Sequence, residues 1–438
     1  MMKKVLPLSA ILSLRFLGLF LVLPVISIYA LELDGATPFL VGVVVGGYAL
    51  TQAIFQVPFG TMSDKIGRKP TLLVGLLIFF VGSLVCAYSD NIYTLMIGRF
   101  LQGAGAIGSV ITAMIADLVP EEGRGKAMAM MGASIAMSFA LAMGLGPVLG
   151  AKYGIDTLFI LTAIFSILAI ILLFTKVPTP PKIIHIYHNK SKTSDIFKDP
   201  NLLTMIIINA MQKGLMTVAF VIIPIILTGD DFHWEKSDLY MAYLPAMLLG
   251  LLAMGPAAIF GEKHNKPKEI FLLSIILFIS SFLLMGFTTS SVLFVVGVSF
   301  FFIAFNMMEP LVQSMISKFA KVHQKGAALG IANATAYFAT FIGGTFAGLL
   351  LNDSDRATIG ISVAVIAILW FLWTLRLQNP EKYTMLYIDK DEVDMDKLTS
   401  LEHEHIAEWF INETEHKVVV KYKAKHLDEE EILQKIKK

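Results

Sequence analysis

The sequence predicts an all-α membrane protein of twelve spanning helices, followed by a small soluble α+β domain. Hydrophobic residues make up 56% of the 438 residues and charged residues only 16%, whereas soluble domains carry about 25% charged residues. The hydrophobic residues fall into blocks of about 18–28 residues, each long enough to cross a hydrocarbon core about 30 Å thick. Backbone groups find no water partners in lipid, so these blocks are predicted to be helical.

The first apolar block follows Lys3 and Lys4, as a secretion signal would. Its apolar run, residues 5–30, is much longer than the roughly 7–15 residues of a signal-peptide core, so we expect an uncleaved first span. The twelve predicted spans cover residues 5–31, 37–60, 71–89, 92–117, 125–150, 156–175, 202–228, 237–260, 269–287, 291–316, 326–351 and 357–376.

The loops between these spans differ in charge. One alternating set carries the basic residues Lys65, Arg68, Lys69, Arg124, Lys126, Lys182, Lys190, Lys192, Lys198, Lys263, Lys266, Lys268, Lys318, Lys321 and Lys325. The other set carries only Lys152, Lys236 and Arg356. Basic loops stay on the cytoplasmic side. This pattern predicts a multi-pass protein of a bacterial inner membrane with both termini in the cytoplasm.

A basic linker, residues 177–201, divides the spans into two halves, residues 1–176 and 202–378. The halves resemble each other at an offset of 198 residues: Asp64 and Lys65 correspond to Glu262 and Lys263, and Arg15 corresponds to Lys213. Internal repeats of this kind are typical of transporters in which one half rocks against the other.

Residues 381–438 form a segment of different character, with fifteen acidic residues against ten lysines. Its patterns predict strands at 384–388, 406–411 and 417–423 and helices at 396–404 and 428–437, a small cytosolic module of ferredoxin-like type. Its role would be to bind a ligand that the sequence does not identify, or to regulate the spans. Its histidines lack a metal-ligand spacing, so no metal site is expected; they are His403, His405, His416 and His426.

Three motifs resemble the major facilitator superfamily. Residues 60–69, GTMSDKIGRK, match its signature G-x-L-A-D-R-x-G-R-R between spans two and three and contain Gly60, Asp64, Gly67 and Arg68. Residues 95–106, LMIGRFLQGAGA, match its second motif, which includes Arg99. Residues 146–151, GPVLGA, match the motif characteristic of its exporters and contain Gly146, Pro147 and Gly150.

The resemblance extends to the YajR-type group of drug:proton antiporters through residues 14–18 (LRFLG), 48–60 (YALTQAIFQVPFG) and 304–309 (AFNMME). That group also carries a C-terminal ferredoxin-like domain. The resemblance implies a twelve-helix major facilitator fold and proton-driven export of drug-like molecules. It also implies a cytoplasmic latch of Asp64, Arg68 and Asp117, which would hold the outward-facing state by meeting the N-terminus of span eleven. The alternative is an exposed ion-pair cluster of little energetic weight.

Four charged residues are predicted to lie inside the membrane, where charges are costly and usually functional. They are Arg15, Arg99, Lys213 and Glu309, one in each of spans one, four, seven and ten, which line the cavity in this superfamily. Glu309 is the candidate protonatable carboxylate. A purely structural, hydrogen-bonded role is the alternative for each of the four.

Polar residues in the spans could line a substrate route. Tyr48, Gln52 and Gln56 share one stripe of span two, and Asn306 lies in span ten. Further amides are Asn209, Gln212, Gln313 and Asn333. The alternative is that these groups simply bond neighbouring helices.

Three functions are compatible with these features: a drug:proton antiporter, a proton-coupled transporter of organic anions, and a membrane sensor that signals through residues 381–438. No phosphate-binding loop is present in the sequence, so direct use of ATP is not expected. The chain is not expected to be an enzyme or to need a cofactor besides the coupling proton. Its expected partners are a small molecule and the lipid bilayer, with no nucleic acid, and a monomer is expected.

Overall fold

The computed structural model describes residues 2–119, 121–179, 185–187, 193–321, 324–380, 384–399, 406–412, 416–423 and 426–436. Within these residues, twelve helices are long and apolar enough to cross a membrane. The prediction of a twelve-helix all-α membrane region is therefore confirmed.

The spans follow the predicted order with shifted ends. Their helices are Met2–Val22 and Ile26–Ala30 (span one), Pro38–Ile66 (two), Arg68–Ala87 (three), Ile92–Ala104 and Gly108–Leu118 (four), Glu121–Tyr153 (five), Ile155–Thr175 (six), Pro200–Thr228 (seven), Leu239–Ala258 (eight, extended by a π-turn at Ile259–Lys263), Pro267–Phe287 (nine), Ser291–Phe319 (ten), Lys325–Asp353 (eleven) and Arg356–Thr374 (twelve).

Spans one and four are not continuous helices, contrary to the prediction. Span one breaks at residues 23–25, because Pro24 has no N–H for the helical ladder and its ring crowds the preceding turn. Span four breaks at residues 105–107. There the backbone of Gly105 packs so closely on span three that a Cβ atom would lie 2.3 Å from the carbonyl oxygen of Gly75.

The signature motif lies on helices rather than in the predicted loop. Span two continues six residues beyond its predicted end at residue 60, to Ile66, and Arg68 already begins span three. Gly67 makes the entire turn with a φ of 102°, a conformation that favours glycine. The side chains of Asp64 and Arg68 are therefore held on ordered helix ends.

Among the described residues, the closest packing between the two halves lies at one end of the bundle. An even number of spans places the start of span one and the end of span twelve at the same end, here called the basic end because it carries the basic loops. At the opposite end, spans two and eleven pack so closely that a Cβ atom on Gly42 would lie 2.1 Å from the carbonyl oxygen of Gly344. Toward the basic end, Cβ atoms on Gly132, Gly326 and Gly330 would meet no described atom within 4 Å. Within the described part of the chain, the halves are thus closed at the opposite end and apart at these positions of the basic end.

The C-terminal residues form a small α+β module, as predicted. Strands β2 (Thr384–Asp389), β3 (Ile406–Asn412) and β4 (Lys417–Tyr422) pair antiparallel, with β4 between the other two. Helices Met395–Thr399 and Glu429–Ile436 complete the described part. The buried core contains Leu386, Ile388, Leu398, Val418, Val420, Ile432 and Ile436. The described order, β-α-β-β-α, covers the first five elements of a ferredoxin-like βαββαβ unit, and that type stays a prediction.

The linker adds a strand that the sequence analysis did not anticipate. Strand β1 (His185–Tyr187) pairs antiparallel with β3, and Ile186 lies opposite Ile411. The sheet order is therefore β1-β3-β4-β2. The segment that joins the two halves and the C-terminal module are hydrogen-bonded into one sheet.

Candidate functional site

Lys213 and Glu309 form an ion pair between spans seven and ten. The Nζ atom of Lys213 lies 2.9 Å from Oε1 and 2.7 Å from Oε2 of Glu309. The amide of Gln212 donates to the same carboxylate at 3.0 Å, and the ring centroid of Phe305 lies 4.7 Å from Nζ. The side chains of Lys213 and Glu309 are 23% and 36% exposed. The carboxylate is therefore both paired and accessible.

The Lys213–Glu309 pair faces the other half of the protein. Tyr337 of span eleven interacts electrostatically with Glu309 and also with Arg15 and Tyr48 of the first half. The predicted deep charges Arg15, Lys213 and Glu309 are thus brought to one region between the halves. The interaction partner Tyr337 was missed, because an apolar helix gives no sequence signal for which of its faces meets the other half.

Arg15 is fully buried and poorly bonded. Its Nη2 atom donates to Oε1 of Gln52 at 3.1 Å, and its Nε and Nη1 atoms have no hydrogen-bond partner among the described residues. The ring centroids of Phe79 and Phe16 lie 5.3 and 5.6 Å from its guanidinium carbon. Among the residues that the structure describes, no carboxylate lies close enough to pair with it.

Arg99 is equally buried but well bonded. It donates to the carbonyl oxygens of Val44 and Val45 at 3.2 and 3.4 Å and to Oε1 of Gln102 at 2.7 Å. Its guanidinium also lies 4.6 Å from the ring centroid of Tyr48. These contacts fix span four against span two and support the structural alternative for Arg99.

The polar residues proposed as a substrate route also divide into two groups, those that are hydrogen-bonded and those that have buried atoms without a partner. Asn306 donates to the carbonyl oxygen of Phe302 at 2.8 Å, and Asn209 donates to that of Ala332 at 3.0 Å, so both bond helices. Gln313 bonds Asn333 on an exposed surface. In contrast, the Gln52 amide nitrogen and the Gln56 side-chain oxygen are buried without partners in the described structure.

Arg68 organises the predicted latch at the basic end. It donates to Asp64 at 2.6 Å, to Asp117 at 2.9 Å and to Ser63 at 2.6 Å, which ties spans two, three and four together. The Asp64 side chain is 66% exposed, and its ion pair in the described structure is with Arg68. Asp64, Arg68 and Asp117 are thus in contact within the first half, and their role as a latch stays a prediction. Among the residues that the structure describes, the ion pair of Asp64 is with Arg68 and not with span eleven.

The second half carries a related cluster that sequence analysis did not identify as a site. Glu262, the counterpart of Asp64, bonds Ser314 and Lys318 of span ten. In this cluster the acidic residue pairs with basic Lys318 of span ten, whereas in the first half the basic Arg68 pairs with acidic Asp117 of span four. The repeat at an offset of 198 residues was the available signal.

The exporter motif packs on the break in span one. A Cβ atom on Gly146 would lie 2.3 Å from the carbonyl oxygen of Leu21, and Pro147 beside it is buried. The carbonyl oxygen of Gly150 accepts a hydrogen bond from the Tyr29 hydroxyl at 2.6 Å. The motif therefore fixes the short helix at the outer part of span one, which faces the second half.

Further contacts close the opposite end between the halves. Lys236 forms an ion pair with Glu32 and lies 4.2 Å from the ring centroid of Tyr29. The Ser27 hydroxyl donates to the carbonyl oxygen of Phe220 at 3.4 Å. Sequence analysis missed this closure because its residues come from loops and helix ends that are far apart in the chain.

An aromatic cluster connects the halves between this closure and the Lys213–Glu309 pair. Phe139 of span five contacts Phe20 of span one, with ring centroids 5.0 Å apart. It also contacts Phe220, Phe302 and Phe305 of the second half at 6.0, 6.4 and 5.7 Å. These rings form an apolar wall directly beside the Lys213–Glu309 pair.

Sequence comparison identifies the family. The sequence model of the Major Facilitator Superfamily matches residues 8–257 and 205–385. The chain belongs to the Major Facilitator Superfamily. It is 35% identical to the inner membrane transport protein YajR of Escherichia coli (strain K12), over 98% of this chain and 96% of that protein. It is 29% identical to the quinolone resistance protein NorA of Staphylococcus aureus (strain MSSA476), over 81% of this chain and 92% of that protein.

Solved structures share the fold. A D-xylose-proton symporter matches with a TM-score of 0.71 at 16% identity, over 86% of this chain and 98% of that one. The human organic anion transporter MFSD10 matches with a TM-score of 0.60 at 17% identity, over 85% and 99%. The predicted family and major facilitator fold are confirmed, and the chain is a multi-pass membrane transporter rather than an enzyme.

Proposed function

We propose that this transporter exports small amphipathic, drug-like molecules in exchange for protons by alternating access. The observation that carries the proposal is the Lys213–Glu309 pair, a carboxylate that is paired yet accessible between the halves. A carboxylate in this position binds a proton only by giving up its ion pair. The similarity to YajR, an inner membrane transport protein, and to NorA, a quinolone resistance protein, supports transport of drug-like compounds.

The exchange follows from competition at Glu309. When a proton neutralises the carboxylate, the attraction to Lys213 disappears and the amine is left without its counter-ion, which is unfavourable in a partly buried site. Loss of the proton restores the pair. Proton binding and proton loss therefore favour different arrangements around the pair, and antiport requires that the substrate bind the arrangement from which the proton has left.

The sidedness of this proposal rests on charge. The basic end faces the cytoplasm of a bacterial inner membrane by the positive-inside rule, which also places both termini there. The state described here is then inward-facing. Asp64, Arg68 and Asp117 would complete the latch with span eleven only after the basic end closes, where the helix N-terminus favours an anion.

Reconstitution tests this function. Purified protein in proteoliposomes loaded with a fluorescent quinolone is exposed to an inward proton gradient. Export of the quinolone that depends on the gradient, with matching proton entry, is the expected result. Quinolone movement in the same direction as the protons, or at a rate that the gradient does not change, would contradict the proposal.

A further inference from the structure

Arg15, Gln52 and Tyr337 form a polar cluster between the halves, in which two guanidinium nitrogens of Arg15 lack hydrogen-bond partners among the described residues. A guanidinium has five N–H donors, and Arg15 uses one of them, toward Gln52. The Gln52 amide nitrogen is buried and makes no hydrogen bond of good geometry in the described structure. Tyr337 of the other half lies beside Arg15, and its hydroxyl interacts with the Gln52 side chain. The Nε and Nη1 donors of Arg15 and its positive charge are therefore left without an acceptor among the described residues.

Arg99 shows that the unbonded state of Arg15 is not a general consequence of burial. Both side chains are fully buried in the first half. Arg99 has three hydrogen bonds, whereas Arg15 has one. Unpaired buried cations are strongly unfavourable, and two aromatic faces offset only part of that cost. An anionic ligand with two acceptor atoms would match the planar fork of Arg15.

The aromatic residues near Arg15 indicate what the uncharged part of the ligand would be. The ring of Phe16, next to Arg15, stacks with Phe20 at 5.3 Å, and Phe20 continues to Phe139 at 5.0 Å. Phe139 in turn contacts Phe305, which lies over Lys213. An apolar wall of rings therefore leads from the donors of Arg15 toward the Lys213–Glu309 pair. Such a wall suits a planar aromatic body.

We propose that Arg15, Gln52 and Tyr337 bind the carboxylate of an aromatic acid substrate, whose ring lies along Phe16, Phe20 and Phe139. This inference rests on the proposed function and narrows its substrate class to amphipathic aromatic acids. The ligand would contact spans one and two of the first half and span eleven of the second. Binding would thereby stabilise the halves in one relative position.

Paired probes test the subsite in full-length protein in lipid nanodiscs. The probes are a quinolone carboxylic acid with its methyl ester, and 2-naphthoic acid with 2-naphthamide, at a pH at which the acids are ionised. Wild type should bind each acid about tenfold more tightly than its neutral analogue, as expected for hydrogen bonds to a charged group. Arg15→Gln should remove this preference and leave the affinity for the ester and amide unchanged. Arg376→Gln, the same change at an exposed site, should retain the preference.

Two results would overturn the subsite: no acid preference in wild type for either pair, or an undiminished preference in Arg15→Gln. If Arg15→Gln does not fold, Tyr337→Phe decides, because it removes only a hydroxyl. It should lower acid affinity by roughly threefold with neutral-probe affinity unchanged, and an unaltered acid affinity would count against the subsite. If wild type shows proton-driven export but no acid preference, this inference alone is overturned. If wild type shows the acid preference but no proton-coupled export, the proposed function alone is overturned.

Discussion

Lys213 Nζ contacts both carboxylate oxygens of Glu309, at 2.9 and 2.7 Å, and this contact joins spans seven and ten. The pair lies beside Phe305 and near Tyr337, the residue that connects it to Arg15 of the first half. The pair therefore lies close to groups of both halves. This relationship underlies the first prediction.

Glu309→Gln should abolish proton-driven export but preserve exchange of substrate down its own gradient, because the amide keeps the shape and cannot take up a proton. The measurement compares gradient-driven flux with substrate counterflow in proteoliposomes. Glu235→Gln, at an exposed carboxylate of the opposite end, serves as the control and should behave as wild type. Gradient-driven flux that survives in Glu309→Gln would remove this residue from the coupling scheme.

Gly42→Ala should prevent closure of the opposite end. The added Cβ atom would lie 2.1 Å from the carbonyl oxygen of Gly344, a distance at which the helices must separate. Alanine favours helix over glycine by about 1 kcal/mol, so a loss of transport would not come from a weaker helix. Gly330→Ala, which meets no described atom within 4 Å, is the matched control.

The rate at which a buried position at this contact reacts with a thiol reagent measures the closure directly. In a Cys86→Ala background, a cysteine introduced at Ser27 should react faster with a maleimide in Gly42→Ala than in Gly330→Ala. Ser27 is suited to this because it is fully buried at the contact between the halves. Equal labelling and normal transport in both variants would show that the close approach of spans two and eleven is dispensable.

Glu32→Lys should modestly favour opening of the opposite end, because it places two cations together where an ion pair now lies. The pair is substantially exposed, so the effect should be below about 1 kcal/mol. Labelling at Ser27 should therefore rise by only a few-fold and should decrease with added salt. The double variant Glu32→Lys with Lys236→Glu should restore slow labelling; if it labels as fast as Glu32→Lys, the pair does not contribute to closure.

Truncation after Pro380 should leave at least half of the transport activity. The described contacts of the span-twelve end are retained, including Asn265 to the carbonyl oxygen of Pro380 at 2.9 Å and Lys268 N–H to Asn379 at 3.1 Å. The C-terminal module has a core of its own. Flux in proteoliposomes distinguishes a transporter from a sensor, for which the module would be the output. Complete loss of flux in a folded truncated protein would indicate that the module is essential.

The fold could be predicted largely from the sequence. A spanning segment must be helical to satisfy its backbone hydrogen bonds in lipid and must be apolar over about 20 residues, so each span is visible as a long apolar block. The positions of Arg15, Lys213 and Glu309 within the apolar spans followed from the same blocks. The breaks in spans one and four could not be located in this way. Pro24 and Gly105 lie within apolar runs whose composition continues across the break.

The pairing within the site was beyond sequence reasoning for a different reason. Lys213 and Glu309 are ninety-six residues apart, and their contact depends on the relative rotation of two helices. The difference between Arg15 and Arg99 is of the same kind, because both look alike in sequence and differ only in the acceptors that neighbouring spans supply. Strand β1 was missed because three residues in a polar linker carry no distinguishing pattern.

Proton movement driven by a substrate gradient tests the central claim, exchange of substrate and proton at Glu309, most directly. Proteoliposomes loaded with a quinolone are diluted into weakly buffered, quinolone-free medium that contains a pH indicator. Wild type should take up protons as the quinolone leaves, so the medium becomes more alkaline, and Glu309→Gln should cause no change beyond the protein-free control. Quinolone efflux without proton uptake in wild type, or equal proton uptake with both proteins, would contradict the account.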